Sequence, residues 1–266
     1  MSLPTVAQPP PQVLAFDTST EALALALQAP GGPWQLQAPG GAQASATLLP
    51  QVHRMLAQAG STLADLDFIA FGRGPGAFTG LRTACAVAQG LGFGLGRPLL
   101  AIDSLLLVAE DARLQAAVHA AVQGDVPAAV PAPPWTVGVA MDARMQEAYA
   151  AVYRWHGGAW HTLAAPALYT LAALGLAWGA GWGGPPLQAV AGSAWLAFGS
   201  RLPLPPGAQA LLHERDRAAA LLRLAVAAAQ AGAGIQAADA LPLYLRDKVA
   251  LTTVEREAVR AAATTP

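Results

Sequence analysis

Cysteine, charge and uninterrupted apolar runs are all scarce in this chain. The one cysteine of 266 residues, Cys85, cannot form an internal disulfide, which fits a reducing compartment and a cytoplasmic location. It lies inside a helical pattern, where a free thiol is expected to act as a small buried apolar side chain. Charged residues make up only 12% against 54% hydrophobic, yet no window offers the roughly 20 unbroken apolar residues that a membrane-spanning helix needs. Its most apolar stretch, Leu99 to Ala109, is broken by Asp103 and Ser104, so a soluble protein with no membrane partner is expected. With 15 basic and 16 acidic residues thinly spread, no electrostatic footprint for a polyanion is visible, and any action on RNA would need a partner to hold it. The five histidines form no His-x-x-x-His pair, so zinc chemistry is not expected. A serine-hydrolase elbow is missing as well, because Gly192-Ser193-Ala194 lacks the closing glycine.

What is present is an α/β pattern that occurs twice. Val13 to Phe16, Ala22 to Leu27 and Trp34 to Gln37 read as three strands, separated by the turn Asp17-Thr18-Ser19-Thr20 and the breaker Pro30-Gly31-Gly32-Pro33. Leu48, Leu49, Val52, Met55, Leu56 and Ala59 recur at helical spacing, with Pro50 expected in the first turns. A strand at Phe68 to Phe71, a helix at Thr79 to Leu95, a strand at Pro98 to Ile102 and a helix at Ser104 to Arg113 follow. After an Ala/Pro-rich stretch the opening recurs as Trp135 to Met141, the acidic turn Asp142-Ala143-Arg144, Ala148 to Trp155 and Trp160 to Leu163. A helix near Thr170 to Trp178, a strand near Leu187 to Val190 and a helix at Arg217 to Ala231 complete the second half. Such duplication predicts two similar lobes with function in the cleft between them. The expected divisions are a flexible tail at 1–12 with no signal-peptide character, a lobe at 13–113, a linker at 114–134, a second lobe at 135–250 and a tail at 251–266.

The chemistry, if any, should gather at the turns. Gly72 to Arg82 follows a strand and opens a helix, so its amides, with Gly74 and Gly76 in the bend, form a candidate anion site; its spacing is neither a dinucleotide fingerprint nor a P-loop. A tight structural turn explains the same glycines. Asp17 and Asp142 end the first strand of each half. Paired acids facing a cleft could hold a metal through water or orient an attacking group, or each could merely cap its turn. Arg73, Arg82 and Arg144 stand beside these turns as phosphate ligands or salt-bridge partners. The second long helix carries Gly90, Gly92, Gly94 and Gly96, each costing roughly 1 kcal/mol in a helix interior. Close approach of a neighbouring helix, inside the lobe or across an interface, is expected to offset that cost.

Leu14 to Thr20, Gly72 to Arg82, Met141 to Tyr149 and Tyr244-Leu245-Arg246 together resemble the TsaB (YeaZ) family, in order over Val13 to Val249. The resemblance implies two ribonuclease-H-like lobes of the actin-like superfamily and a non-catalytic scaffold or activator. Its partners would be a catalytic paralogue, TsaD, and an ATPase, TsaE, in making threonylcarbamoyladenosine in tRNA. It implies contact with tRNA only through that complex, a homodimer in isolation, and no required cofactor. Nucleotide or anion binding would fall to Asp17, Ser19, Thr20, Gly74, Gly76, Asp142 and Arg144. Family members pair through the first-lobe helices, which puts Leu49, Val52, Leu56, Ala84, Val87 and Leu91 at the partner interface or in the core. The catalytic paralogue carries metal-binding histidines after the strand equivalent to Pro98 to Ile102, where this chain has Asp103-Ser104-Leu105-Leu106-Leu107-Val108; no catalytic or metal residue is therefore assigned. An active ATP-dependent or glycoprotease-like enzyme of the same superfamily, and a homodimeric interaction protein unconnected to tRNA, stand as the rival readings.

Overall fold

A computed structural model describes residues 10–122, 134–179 and 181–246, without the side chains of 120–122. Most of both expected tails and of the expected linker lie outside the described residues. Two five-stranded mixed sheets form. In the first, β1 (Val13–Asp17), β2 (Ala22–Ala29), β3 (Gly32–Pro39), β4 (Phe68–Gly74) and β5 (Leu99–Asp103) take the order β3-β2-β1-β4-β5. In the second, β6 (Trp135–Asp142), β7 (Glu147–His156), β8 (Ala159–Thr170), β9 (Ala189–Ala191) and β10 (Gln209–Leu211) take the order β10-β9-β6-β7-β8. Read from β6, that is the topology of the first sheet: the leading strand pairs antiparallel with the next and parallel with the fourth. The duplication expected from the sequence is therefore a duplication of topology.

Side-chain size sorts the layers. Along β2, Leu23, Leu25 and Leu27 point to one face and Ala24 to the other, as the two-residue period of a strand demands. The large face, extended by Leu14, Phe16, Ile69 and Phe71, packs against α1 (Ala44–Gln58) and α2 (Phe78–Leu95). The small face, with Val13, Ala15 and Ala70, receives the alanine-rich α6 (Arg217–Gln230) through Ala218, Leu221, Ala225 and Ala229. Small residues on both sides let that helix approach closely. α4 (Leu171–Gly179) and α5 (Ala194–Phe198) cover the outer face of the second sheet.

The sequence divides the chain differently from its packing. The helix expected to stop at Arg113 continues as α3 (Ser104–Val122), so the boundary at 113/114 falls inside it. Leu105, Val108, Ala109 and Ala112 of α3 pack with Val137, Val139 and Tyr153 of the second sheet, whereas Leu107 joins the first-lobe core. Conversely α6, Ala237 and Ala240, all within the expected second lobe, pack on the first sheet. α3 and α6 touch each other and form a shared layer between the sheets. Pro50 is the seventh residue of α1, in its second turn, and is exposed, so the carbonyl it leaves unpaired is on the outward side.

Two of the four helix glycines are explained within the chain. Gly96 is the left-handed C-cap of α2 (φ +63°), where glycine carries no penalty. Gly92 lies in the interior, and an added Cβ would meet Leu99 Cδ2 at 2.9 Å and Ala237 Cβ at 3.0 Å. Gly90, like Gly94, faces open space. Gly92→Ala is therefore expected to destabilise by about 1–3 kcal/mol through overpacking. Gly90→Ala should stabilise the isolated chain by about 0.5–1 kcal/mol through helix propensity. Urea unfolding of both variants checks the opposite signs.

Candidate functional site

The first turn is built on glycines spaced four apart. Gly72, Gly76 and Gly80 each lie against the Asp17-Thr18-Ser19 segment: added Cβ atoms would come within 1.6 Å of Asp17 Oδ2, 2.4 Å of Ser19 O and 1.8 Å of Thr18 O. Thr18 Oγ1 donates to Gly80 O at 2.7 Å and the Ala77 amide donates to Ser19 O at 2.8 Å. The glycine-rich loop thus serves close backbone packing, and two of its amides, those of Gly74 and Ala77, already have partners in the chain.

Asp17 itself turns inward and is fully buried. Its Oδ1 accepts from the Ser19 amide (3.1 Å), Ser19 Oγ (2.8 Å) and Arg217 Nε (3.1 Å), while Oδ2 accepts from Ser104 Oγ (2.7 Å). Arg217, nearly as buried, also donates to Ser19 Oγ at 2.9 Å and pairs with Glu214. Burial alone would raise the Asp17 carboxyl; the adjacent Arg217 guanidinium and the Ser104 and Ser19 bonds outweigh it and hold the carboxyl below its ordinary range. Both oxygens are thereby spent inside the protein.

The second lobe presents the opposite arrangement. Asp142 keeps a partly exposed carboxylate, accepting from the Arg144 amide at 2.8 Å. The following β-turn holds three consecutive non-glycine residues in left-handed backbone: Arg144 (φ 63°), Met145 (54°) and Gln146 (63°). Each costs on the order of 1–2 kcal/mol in an L-residue. The side chain of Arg144, 76% exposed, reaches Glu21 on the first lobe at 3.6 Å. Opposite the turn runs the extended segment 241–246, whose Leu243 amide donates to Arg73 O at 2.7 Å and whose Tyr244 ring lies 5.1 Å from that of Phe78. Between these parts lies a cavity of about 630 Å³ lined by residues of both lobes, among them Ser19, Thr20, Gly76, Ser104, Asp142, Arg144, Arg217 and Arg246.

Of the expected anion-binding residues, Ser19, Thr20, Gly76, Asp142 and Arg144 line this cavity, and Asp17 and Gly74 do not. Asp17 is withdrawn by its ion pair. Gly74, at φ +109°, donates to Ser104 Oγ at 3.1 Å and is packed between Leu81 and Leu243. Among the expected interface residues, Val52, Leu56 and Ala84 are core, because the apolar stripe of each helix is the face laid on the sheet. Val87 and Leu91 pack against the edge of that core, and Leu49 is 40% exposed. Sequence reasoning missed Arg217 and Arg246. A visible clue to Arg217 was its place as the first residue of a helix, where the dipole disfavours a cation unless an acid awaits it. Among the described residues, no three His, Cys, Asp or Glu side chains gather to hold a metal ion.

Asp17→Asn would leave the buried Arg217 with only the partly exposed Glu214 as counter-charge and is expected to cost about 3–5 kcal/mol at pH 7. A depressed folded-state value means that the carboxylate contributes fully above its unfolded value of about 3.9 and loses its contribution as the pH falls through the lower folded value. The gap between the wild type and the Asn variant should therefore narrow as the pH falls below the unfolded value and close once the lower folded value is passed, which denaturant titrations across pH would show.

Comparison with known proteins matches residues 41–238 to the family model described as "TsaD: tRNA N6-adenosine threonylcarbamoyltransferase". The chain is 37% identical over 137 residues to a protein of Haemophilus influenzae and 34% identical over 152 residues to one of Escherichia coli, both named tRNA threonylcarbamoyladenosine biosynthesis protein TsaB. These matches take in 52% and 56% of this chain and span 51% and 58% of those relatives' own length. Among solved structures, YeaZ from Pseudomonas aeruginosa superposes with a TM-score of 0.69 at 34% identity, covering 88% of this chain and 100% of that one. A second Pseudomonas aeruginosa structure, an uncharacterized protein with similarity to peptidase YEAZ, gives 0.71 at 35% identity, covering 89% and 100%. The sequence and the superposition agree, and the chain belongs to the TsaB (YeaZ) family.

Proposed function

We propose that this protein is an accessory, non-catalytic subunit in the synthesis of threonylcarbamoyladenosine in tRNA. The observation that carries the proposal is the saturated carboxylate of Asp17. The acid expected to work in the cleft accepts four hydrogen bonds from its own chain, one of them from the buried Arg217, and has no oxygen left for a metal or an attacking group. Asp142 shares the cavity with Glu21, but Arg144 stands against both acids, and among the described residues no three His, Cys, Asp or Glu side chains gather to hold a metal ion. A scaffold needs a surface more than a reaction centre, and the names of the relatives supply the pathway.

The surface we assign to the catalytic paralogue, or to a second copy of this chain, is the outer face of α1 and α2. Leu49 is partly exposed there, Phe93 is 64% exposed, and Ala86, Gly90 and Gly94 leave a shallow strip with no side chain beyond Cβ. Glycines with open space above them weaken the helix and give nothing back within the chain; backbone-close docking of a partner helix offsets that cost. The ATPase partner and the tRNA would then engage the assembled complex. Weak nucleotide binding in the cleft, should it occur, would involve Ser19, Thr20, Gly76, Asp142 and Arg144.

Depletion of the protein is expected to lower threonylcarbamoyladenosine in bulk tRNA, read by mass spectrometry of nucleosides. Unchanged modification would remove the pathway assignment. Gly90→Arg and Phe93→Asp should leave the thermal midpoint within a few degrees and weaken copurification with a TsaD-type protein at least about tenfold. Magnesium-dependent ATP turnover by the isolated chain would instead favour the enzyme reading.

A further inference from the structure

The cleft mouth contains a strained element, the hairpin turn between β6 and β7, and a clamp that holds it. Residues 144–146 occupy left-handed backbone without a glycine among them, a run that ordinary turns avoid. Arg246 engages this turn at every level. Its Nη2 donates to Ala143 O at 2.9 Å and Arg144 O at 3.4 Å and pairs with Glu147 at 2.7 Å; its Nη1 lies 3.1 Å from Met145 Sδ. Arg201 adds a hydrogen bond to Gln146. The segment bearing Arg246 is itself fixed to the first lobe, through the Leu243 amide on Arg73 O and the Tyr244 ring on Phe78. From the turn, Arg144 reaches back to Glu21 on the first lobe. Two links therefore join the lobes across the mouth, and both depend on one turn keeping an unfavourable backbone.

We propose that residues 241–246 form a strap that latches the cleft shut: Arg246 stabilises the left-handed turn, and the turn in turn presents Arg144 to Glu21. Without the guanidinium fork the turn relaxes toward right-handed backbone, Arg144 leaves Glu21, and the mouth opens. Backbone carbonyls and a carboxylate together select arginine here, since its planar fork addresses several acceptors at once and an ammonium cannot. The latch is releasable, because Arg246 and Arg144 both line the cavity and meet whatever enters it.

The test uses the full chain with Cys85→Ser and spin labels at Gln58 and Ala173, exposed positions on the outer helices of the two lobes. In Arg246→Ala the interlobe distance distribution should broaden to longer values, and deuterium exchange at the Glu147 amide, bonded to Arg144 O, should quicken about tenfold. Arg246→Lys, which keeps the charge and loses the fork, should open the cleft part-way. The decisive variant adds Met145→Gly and Gln146→Gly to Arg246→Ala: glycine enters left-handed backbone without penalty, so the closed distribution should return in part. An unchanged distribution in Arg246→Ala overturns the proposal, as does opening that the glycines leave undiminished. Threonylcarbamoyladenosine levels are not the readout, so the latch can fail while the accessory role stands.

Discussion

Removing a guanidinium and a carboxylate from water costs several kcal/mol per ion, and their mutual attraction repays it only when every remaining donor and acceptor is satisfied. The Arg217–Asp17 pair meets that condition through Ser19, Ser104 and Glu214, and the five residues come from three separate stretches of chain. Its contribution lies less in net stability than in uniqueness. Any docking of α6 that misplaced its first residue would leave a buried charge unmatched. The pair thus fixes the register in which the end of the chain returns to its beginning.

That return determines the architecture. α6 closes the small-residue face of the first sheet, α3 contributes to the second, and the two helices are joined by polar contacts as well as by the apolar cluster that Leu107 of α3 shares with Ala218, Leu221 and Ala225 of α6. Glu110 of α3 binds Arg113 in a two-point pair, accepts from Trp160 Nε1 at 2.9 Å and meets Arg223 of α6 at 3.0 Å. Asp111 accepts from the Arg215 and Asp216 amides, both at 2.9 Å, just ahead of α6. Below this layer, Tyr153 of the second sheet donates to Asp103 at the end of β5 at 2.7 Å. Burial raises the Asp103 carboxyl, with the Tyr153 bond, the Leu105 amide and Arg73 opposing it, so this contact too sits in a dry interior. Whereas these bonds hold the base of the lobes, at the mouth the pair of Arg144 and Glu21 is exposed, and exposed pairs are weak.

What the sequence disclosed follows the same division between packing and polar geometry. Alternation in Ala22 to Leu27 announces a strand with unequal faces, and the spacing of Leu48, Val52, Met55 and Leu56 announces a helix; both patterns are produced by burial and both are found. The same patterns misdirect a search for an interface. Apolar periodicity marks the face laid on the sheet, which is why Val52, Leu56 and Ala84 are core, whereas the outward face of α2 is distinguished only by glycines with open space above them, Gly90 and Gly94. α5 and β10, five and three residues long, are too short to express a period. Arg217 was hidden for another reason: the partner that explains it lies 200 residues away, and no local pattern records a contact at that separation.

Duplication of topology did not impose duplication of role, and the difference between Asp17 and Asp142 shows what decides it. Both acids end the leading strand of a sheet. Beside Asp17 the parallel neighbour supplies Gly72, and the missing side chain is the space into which the carboxylate folds. Beside Asp142 stands Ser193, whose Oγ receives the Asp142 amide at 3.2 Å, and the carboxylate is left to face the cavity. A serine cannot vacate the volume that a glycine does. The buried position then demanded a cation, and α6 brought one. The exposed position demanded nothing, and its turn was free to become strained and to depend on an arginine at the far end of the chain. Glycine beside one copy of the motif thus accompanies a carboxylate folded inward on Arg217, and the copy without it keeps its carboxylate on the cavity wall.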